Sequence, residues 1–369
     1  MTVHFVLPGY APRPVGGYRV VYEYAYWIAK NQKDGVIVHH VPVADAVYTR
    51  PVTIDHIRGL ASRELRAFVD RPKKYGVPWF PATKELECRY GIDHLSARLC
   101  DGDIVIATAA QTALHVGRIL KRKPEVLGVN FIQHLETWST RASLVEAAWR
   151  LPMLRIVIAP WLEEHGKSLG VESLLVPNAI DPSTFEAGEP VCRRAESVVA
   201  MLSDAPFKRA DVLIAALVEV SRRRPGVVLT CFGVGPRPEE LPSYIGYIRN
   251  PSRSEVAALM KSARVYVCAS DAEGWHLPPA EALLSGTAVA STDIGGVRAY
   301  ADGAALFSPP GDSLALAENT LQLLTQTDIA QSLVAVGHER LRTYSPDDAA
   351  AAFWNAVQRV REPLNEKGK

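Results

Sequence analysis

The sequence predicts an α/β protein made of two domains, each with a doubly wound parallel sheet. The chain has 369 residues, a length typical of about two domains. Short apolar runs that predict buried strands alternate with helical segments, which favours parallel sheets covered by helices on both faces. A charged stretch at 186–196, which contains a glycine and a proline, interrupts this alternation and is expected to link the domains.

Composition excludes several classes of protein. Hydrophobic residues make up 48% and charged residues 22% of the chain, as in folded globular proteins rather than disordered ones. The formal net charge of +1 gives no overall attraction to nucleic acid, so no nucleic-acid partner is expected. Five scattered cysteines without a C-x-x-C pair favour reduced thiols over a disulfide framework or a zinc site. We find no leader and no membrane-spanning segment in the pattern, and therefore expect a cytoplasmic protein.

The first domain is predicted to open on a strand, a loop rich in proline and glycine, and a helix, at 3–7, 8–17 and 18–30. The loop ends in Gly16-Gly17. Paired glycines let a backbone approach a ligand closely, and a helix N-terminus favours phosphate. The alternative is a loop that merely requires positive φ. The strict G-x-G-x-x-G sequence is absent, so a nicotinamide cofactor is not expected.

Two later strands of this domain, at 104–107 and 126–132, adjoin polar candidates. The D-x-D sequence at 101–103 has the form of a metal site, but two aspartates alone hold Mg²⁺ or Mn²⁺ poorly, and a structural loop is favoured. His134 and Glu136 follow the second strand, at the sheet edge where α/β proteins place ligands. Either residue could orient or deprotonate a hydroxyl group. A structural role for a lone histidine remains open.

Two segments between these strands have an ambiguous pattern. Residues 55–70 predict a basic amphipathic helix, which can lie on an anionic membrane or on the surface of its own domain. Peripheral membrane contact is therefore one interpretation. The aromatic segment 75–90 could form the lip of an acceptor site or a connector packed on the sheet.

In the second half, the stretch DAEGWHLPPAEALLSG at 271–286 is the most informative. It lies between two apolar runs that predict buried strands. Pro278 and Pro279 suit the first turn of a helix, and Gly286 suits its C-terminal cap. The loop 273–277 is therefore expected at a strand's carboxyl end and at a helix N-terminus, where phosphate is favoured.

Two carboxylates in this stretch need a chemical reason. Glu273 lies in the loop and Glu281 about one turn inside the helix. Carboxylates repel phosphate but accept hydrogen bonds from sugar hydroxyls, so Glu281 could hold a ribose and Glu273 a second sugar. The alternative is a solvated loop residue and a favourable charge at the start of a helix.

The run EGWHLPPAEALLSGTAVASTDIGG resembles the donor-binding sequence of glycosyltransferase family 4, which comprises retaining nucleotide-sugar transferases of GT-B fold. IATAAQTALHV followed by NFIQHLETW is similar to the rhamnosyltransferase-like members of that family. The resemblance implies two doubly wound Rossmann-like domains facing each other across a cleft. It implies an acceptor-binding domain at 1–185 and a donor-binding domain at 186–346, with a C-terminal helix at 347–361 returning to the first domain.

The resemblance also implies roles for individual residues. Glu273 would contact the donor sugar, the loop amides the diphosphate and Glu281 the ribose. Lys208 matches a lysine that neutralises the diphosphate, and Arg209 would stand in for an arginine that the family places near Ser203. The implied donor-binding residues are Gly16, Gly17, Lys208, Arg209, Gly233, Glu273, Gly274, Trp275, His276, Leu277 and Glu281. The implied catalytic residues are His134, Glu136, Lys208 and Glu273, although the family often has aspartate where His134 stands.

The implied reaction moves a hexose or deoxyhexose from a nucleotide diphosphate sugar to a hydroxyl group, with retention of the anomeric configuration. The acceptor would be a glycan, a lipid-linked sugar or a natural product, and neither a cofactor nor a metal ion is expected. Two alternatives stay open: a nucleotide-sugar epimerase of the same fold, and a noncatalytic partner subunit that binds a nucleotide sugar. The sequence does not indicate the base, the sugar, the acceptor or the oligomeric state.

Overall fold

The structure is a computed structural model that describes residues 1–42, 77–81, 84–90 and 95–361. These residues form two compact units: Met1–Asn178 together with the C-terminal segment from Asp347, and Ala179–Pro346. The division lies earlier in the chain than the predicted one at 185/186. Phe185 is buried in the second unit, where the Arg253 guanidinium lies 4.8 Å from its ring centroid. The predicted helix at 55–70, and with it the predicted membrane contact, lies outside the described residues, as does part of 75–90.

The first unit contains a seven-stranded parallel sheet of order β3-β2-β1-β4-β5-β6-β7. Its strands are β1 (Thr2–Leu7), β2 (Gly35–His40), β3 (Glu87–Tyr90), β4 (Ile104–Ala107), β5 (Leu127–Ile132), β6 (Leu154–Val157) and β7 (Leu174–Leu175). The strand order changes direction at β1, which pairs with β2 on one side and β4 on the other. Ligands of α/β sheets bind at the carboxyl ends of strands beside such a point. The edge strand β3 is not predicted from its sequence, ECRY, because two of its four residues are charged.

The described helices that precede β7 in the chain are α1 (Gly16–Asn31), α2 (Leu95–Arg98), α3 (Ala110–Leu120), α4 (Ala142–Trp149) and α5 (Pro160–Ser168). One boundary differs from the prediction. Gly16 and Gly17 are the first residues of α1 rather than the last of the preceding loop, because the extended residue Val15 forms the N-cap. The glycine pair therefore lies at a helix N-terminus.

The second unit contains a six-stranded parallel sheet of order β10-β9-β8-β11-β12-β13. Its strands are β8 (Ser197–Met201), β9 (Val228–Gly233), β10 (Gly246–Arg249), β11 (Val265–Cys268), β12 (Ala288–Thr292) and β13 (Leu306–Ser308). Its helices are α6 (Ala210–Arg223), α7 (Arg253–Ser262), α8 (Leu277–Leu284), α9 (Gly295–Ala301), α10 (Ser313–Thr325) and α11 (Thr327–Arg342). Both sheets confirm the predicted α/β class with doubly wound, Rossmann-like topology.

The last described helix, α12 (Pro346–Gln358), packs on the first unit. The buried Phe353 ring lies 4.6 Å from the Tyr24 ring and 4.8 Å from the Phe131 ring, measured between centroids. The chain thus returns to its first core after completing the second. Within the described ranges, no helix combines the length and the apolarity needed to cross a membrane.

Candidate functional site

The loop between β11 and α8 forms the centre of the site in the second unit. As predicted, an apolar strand precedes the loop and proline occupies the first turn of α8. Gly286 follows the end of α8 with a φ of +75°. Neighbouring segments hold the loop at both ends. The Thr292 hydroxyl donates to the Ser270 carbonyl at 2.5 Å, and the Tyr300 hydroxyl donates to the His276 carbonyl at 2.6 Å.

Glu273 is the most buried charged group of this loop and is 9% exposed. Its Oε1 accepts a hydrogen bond from the Lys208 ammonium and another from the Ser270 hydroxyl, the latter at 2.9 Å. Among the described residues, no hydrogen-bond donor contacts Oε2. One carboxylate oxygen is therefore held by the protein, and the other is available to a ligand.

Lys208, which precedes α6, is brought to Glu273 from 65 residues away in the sequence. Its Nζ lies 3.3 Å from His276 Nε2 as well as in contact with Glu273. An ammonium has three N–H donors and no acceptor, so two are used within the cluster. The third has no hydrogen-bond acceptor within the described part of the chain, although the ammonium lies 5.5 Å from the Phe207 ring centroid, so a positive donor remains for an anion.

Arg209, the predicted substitute for a missing arginine, has a left-handed φ of 50° at the N-cap of α6. Its guanidinium contacts Asp211 at 2.8 Å and Asp271 at 3.0 Å. Hydrogen bonds to these two carboxylates raise the pKa of Arg209. The Arg209 charge is therefore paired with two carboxylates, whereas the Lys208 charge is paired with one.

His276 is buried beside this ion pair. Burial, and next the nearby Lys208 charge, lower the pKa of His276 well below its usual value, so the ring is neutral at physiological pH. Its backbone N–H donates to the Gly296 carbonyl at 3.3 Å. That amide is therefore not available to phosphate, although the sequence placed it among the donor-binding residues.

The N-terminus of α8 offers fewer amide donors than the sequence pattern suggests. A helix begins with four N–H groups that lack intrahelical acceptors. Here the N-cap amide is bonded to Gly296, and Pro278 and Pro279 have no N–H. Leu277 is left as the donor of this first turn. The helix dipole still favours an anion, but the first turn itself offers few amide hydrogen bonds to it.

Gly296, the second residue of α9, is a site residue that the sequence analysis did not identify. A Cβ atom there would lie 2.4 Å from the Glu273 carbonyl oxygen and 2.7 Å from its carbonyl carbon. Only glycine permits this approach of backbone to backbone. The glycine pair that follows β12 was the available signal, but the sequence does not reveal what it packs against.

Glu281 is buried inside α8, and its Oε1 lies 3.5 Å from the Arg253 guanidinium. Arg253 also lies over the Phe185 ring. The carboxylate therefore has a cationic neighbour that the sequence analysis did not predict. An ionised carboxylate accepts hydrogen bonds through both of its oxygens.

Two predicted donor-binding residues have clear packing roles. A Cβ at Gly233 would lie 2.4 Å from the Leu202 carbonyl oxygen, so glycine is required where β9 ends beside β8. The Trp275 ring is 6% exposed and lies 4.4 Å from the Tyr300 ring centroid. Any contact of these two residues with a nucleotide would be through the backbone.

In the first unit, the predicted residues gather around the end of β5. Gln133, which the sequence analysis did not single out, donates through Nε2 to the Gly17 carbonyl at 3.1 Å. A Cβ at Gly17 would lie 3.4 Å from the same side chain. The glycine thus lets the α1 N-terminus pack against the strand end that carries His134 and Glu136.

The His134 ring has a defined tautomer. Its Nδ1 accepts the Leu135 backbone N–H at 2.8 Å, and its ring lies 4.1 Å from the Trp138 ring centroid. Because Nδ1 acts as an acceptor, the hydrogen of a neutral ring is on Nε2. In this state the ring is a hydrogen-bond donor rather than a base.

Glu136 is half-buried and has a left-handed φ of 59°. Its Oε2 accepts the Ala110 backbone N–H at the start of α3, at 2.7 Å. Burial raises the pKa of Glu136 to about 7, against a smaller opposite effect of the Ala110 hydrogen bond. A carboxyl group in this pKa range can both accept and release a proton near neutral pH.

A buried histidine and its tyrosine partners lie at the carboxyl ends of β1 and β2, a feature the sequence analysis missed. His40 Nδ1 contacts the Gly9 carbonyl at 2.9 Å, and His40 Nε2 contacts the Tyr22 hydroxyl at 2.7 Å. The Tyr90 ring stacks on it at 4.8 Å. Burial lowers the pKa of His40 to about 4, so the imidazole is neutral.

The D-x-D sequence at 101–103 forms a loop in which Asp103 is buried. Its carboxylate accepts the backbone N–H groups of Thr2 at 2.7 Å and of Cys100 at 2.9 Å, as expected of a structural loop. Among the residues that the structure describes, no three His, Cys, Asp or Glu side chains are grouped as metal ligands would be.

Comparison with known proteins gives matches in sequence and in structure. Residues 196–326 match the family model described as Glycosyl transferases group 1. A phosphatidyl-myo-inositol mannosyltransferase of Mycobacterium leprae (strain TN) is 30% identical over 212 residues, which cover 53% of this chain and 55% of that protein. The matched region thus spans about half the length of that relative.

Solved structures resemble nearly the whole chain. A sucrose-phosphate synthase of Thermosynechococcus elongatus has a TM-score of 0.70 at 15% identity and covers 98% of this chain and 99% of its own. Anabaena HepE in complex with UDP-glucose has a TM-score of 0.69 at 12% identity, covering 97% and 99%. At such identities the likeness shows the fold, which is GT-B.

Proposed function

We propose that this chain, whose residues 196–326 match the Glycosyl transferases group 1 family model, is a retaining glycosyltransferase. It moves a hexose or deoxyhexose from a nucleotide diphosphate sugar to a hydroxyl group of an acceptor. The contact between Lys208 and Glu273 carries the proposal, because it places a cation and a sugar-binding carboxylate together at the α8 N-terminus.

Lys208 supplies the main charge stabilisation. As the bond from the anomeric carbon to the diphosphate breaks, negative charge develops on the leaving phosphate and positive charge on the sugar. A preorganised cation that meets the developing charge in a buried site lowers the barrier directly. Because two prolines remove amides from the first turn of α8, the ammonium bears more of this task than the helix does.

Glu273 and Glu281 position the two sugars of the donor. Glu273 Oε1 is held by Lys208 and Ser270, so Oε2 accepts a hydroxyl of the transferred sugar. Glu281, whose Oε1 lies 3.5 Å from the Arg253 guanidinium, accepts the ribose hydroxyls. Both carboxylates fix orientation, which contributes to rate by limiting the motion of the reacting atoms.

The proposed step is a front-face displacement. The bond between the anomeric carbon and the phosphate oxygen breaks, a bond to the acceptor oxygen forms on the same face, and the acceptor proton passes to the leaving phosphate. We assign the acceptor hydroxyl to His134 and Glu136 of the first unit, where burial raises the pKa of Glu136 to about 7. Lys208 takes the place of a metal ion in this scheme, so chelating agents are expected to leave the rate unchanged.

Similar proteins suggest the first donors to test. The Mycobacterium leprae relative is named a mannosyltransferase, and the Anabaena structure contains UDP-glucose. Mannosyl and glucosyl donors are therefore the leading candidates, and the acceptor is a hydroxyl compound of unassigned class. The fold does not identify the base of the donor nucleotide, because the sequence identity to these structures is low.

A thermal-shift panel of UDP, dTDP, GDP and ADP tests the donor site. A ligand that binds only the folded chain raises the melting temperature. One nucleotide should stabilise the wild type and the control Glu318→Ala, an exposed glutamate of α10, but not Glu281→Ala. No shift with any of the four would contradict the proposal. Donor consumption that requires an added acceptor separates a transferase from an epimerase, and the absence of consumption would indicate a binding subunit.

A further inference from the structure

We propose that His276 is a positioning residue, which holds the Lys208 ammonium toward the donor diphosphate in a ring tautomer set by the Cys268 thiol. This inference rests on the proposed function, because it assigns the Lys208 charge to the diphosphate. It differs from the role implied by the sequence, in which His276 contacts the donor through its backbone amide. That amide is occupied by the Gly296 carbonyl.

The hydrogen-bond directions follow from the chemistry of each group. Lys208 Nζ lies 3.3 Å from His276 Nε2, and an ammonium can only donate. His276 Nε2 must therefore be the acceptor in this contact, and the ring hydrogen is on Nδ1. Cys268 Sγ lies 3.3 Å from Nδ1 and is the atom that receives this hydrogen bond.

The opposite tautomer would require His276 Nε2–H to donate to Glu273 Oε1. Those atoms are 3.5 Å apart, farther than Nε2 is from Lys208. Oε1 also already accepts from both Lys208 and Ser270. An Nε2–H would further point a hydrogen toward the ammonium. The geometry therefore favours the tautomer with hydrogen on Nδ1.

The surroundings keep the His276 ring and the Cys268 thiol neutral. The ionisable side chains that contact the ring are Lys208, Glu273 and Cys268, while Tyr300 contacts the His276 carbonyl. Burial lowers the pKa of His276, as does Lys208, and burial raises the pKa of the Cys268 thiol. Nε2 thus keeps its lone pair near neutral pH.

The consequence is a fixed direction for the remaining Lys208 N–H. Glu273 and His276 each take one of the three donors, so rotation of the ammonium is restricted. Loss of the imidazole acceptor would leave the charge in place but free the ammonium and its long side chain to move. The effect should appear in binding of a diphosphate and be small for a monophosphate.

The tautomer can be observed without any ligand. In the ¹⁵N-histidine-labelled full chain, two-dimensional NMR distinguishes a ring protonated on Nδ1 from one protonated on Nε2. The chain has ten histidines, and His276→Gln assigns the signal by its disappearance. We expect His276 neutral and protonated on Nδ1 near pH 7. A ring protonated on Nε2, or on both nitrogens, would overturn the inference.

Two substitutions of similar size test the role in binding. The side-chain carbonyl introduced by His276→Gln can still accept from Lys208, whereas the side chain introduced by His276→Leu cannot. The probes are the nucleoside diphosphate that stabilises the wild type in the panel above, and its monophosphate. His276→Leu should weaken diphosphate binding about tenfold, the value of one well-placed hydrogen bond, and His276→Gln by less than about threefold.

The monophosphate separates positioning from a merely structural role. Monophosphate affinity should change by less than about twofold in both variants. The hydrogen bond that the substitutions weaken is the one from Lys208 to the diphosphate, which a monophosphate does not make. Equal losses for the two nucleotides, or equal losses in the two variants, would overturn the inference. A wild type that binds no nucleotide would instead overturn the proposed function, while the NMR tautomer remains a separate result.

Discussion

The two units present opposite electrostatics at the carboxyl ends of their sheets. In the second unit, Lys208 and Glu273 remain an ion pair although both are largely buried. In the first unit, burial raises the pKa of Glu136 to about 7 and lowers the pKa of His40 to about 4, so charge is suppressed. Burial disfavours the charged form of any group, and an opposite charge in contact or hydrogen bonds to the charged form oppose this effect.

This contrast is consistent with the division of the two substrates that we propose. A diphosphate carries charge and needs a cation that no local carboxylate fully neutralises, which the third Lys208 N–H provides. An acceptor hydroxyl is neutral and needs donors and acceptors of nearly matched proton affinity, which a carboxyl with a pKa of about 7 provides. Each of the following variants tests one side of the comparison.

The largest effect is expected for Lys208→Met. Loss of one preorganised charge at a transition state typically lowers kcat by about 10²- to 10³-fold. We expect a decrease of this size in the acceptor-dependent consumption of donor. Lys167→Met, an exposed lysine of α5 that pairs with Glu163, should leave the rate unchanged. A Lys208→Met enzyme with more than about a third of the wild-type rate would show that the charge lies elsewhere.

Gly296→Ala tests whether the position of the Glu273 loop matters. The new Cβ would lie 2.4 Å from the Glu273 carbonyl oxygen, so the loop must shift. Overpacking of this kind costs about 1–3 kcal/mol, and we expect a lower melting temperature together with weaker nucleotide binding. Gly35→Ala is the control, since its nearest atom would be the Thr2 hydroxyl oxygen at 3.7 Å. Unchanged nucleotide affinity in Gly296→Ala would separate the loop from the donor site.

Glu136→Gln tests the suppressed charge of the first unit through pH. The pKa of Glu136 is about 7 in the folded chain and 4.5 in an ordinary glutamate, so the folded state binds the proton more tightly. The free energy of unfolding therefore falls as pH rises from about 4.5 through about 7. The glutamine variant lacks this decline. Its melting temperature, relative to that of the wild type, should therefore rise with pH over that range. A difference in melting temperature between the two proteins that stays constant from about pH 5 to 8 would contradict the pKa shift.

Arg209→Gln should have the smallest effect. The Arg209 charge is already paired with Asp211 and Asp271 on an exposed surface. Solvent screens such exposed pairs, so we expect less than about a threefold change in donor consumption. A loss as large as that of Lys208→Met would instead give Arg209 the role of the arginine missing near Ser203.

The sequence predicted those features that depend on neighbouring residues. The buried strand before Glu273, the prolines in the first turn of α8 and the positive φ of Gly286 all follow from local preference. It did not predict contacts between distant segments. Lys208 reaches His276 across 68 residues, and Arg209 reaches Asp271 across 62. No local pattern encodes such a pairing.

The same limit explains two corrections within the site. Prolines were correctly placed at the start of α8, but their consequence is a shortage of N–H donors rather than an array of them. The sequence analysis assigned no role to Gly296, whereas the structure shows that it admits the Glu273 backbone. In both cases the residue type was informative, and only the packing partner revealed the function.

The most direct test of the account is a calorimetric comparison of nucleoside diphosphate and monophosphate binding. The wild type should prefer the diphosphate, and Glu136→Gln in the first unit should keep that preference. Lys208→Met should bind the two nucleotides with affinities within about threefold of each other, because the charge that distinguishes them is lost. A Lys208→Met protein that keeps the wild-type preference would contradict the assignment of the diphosphate to this cluster.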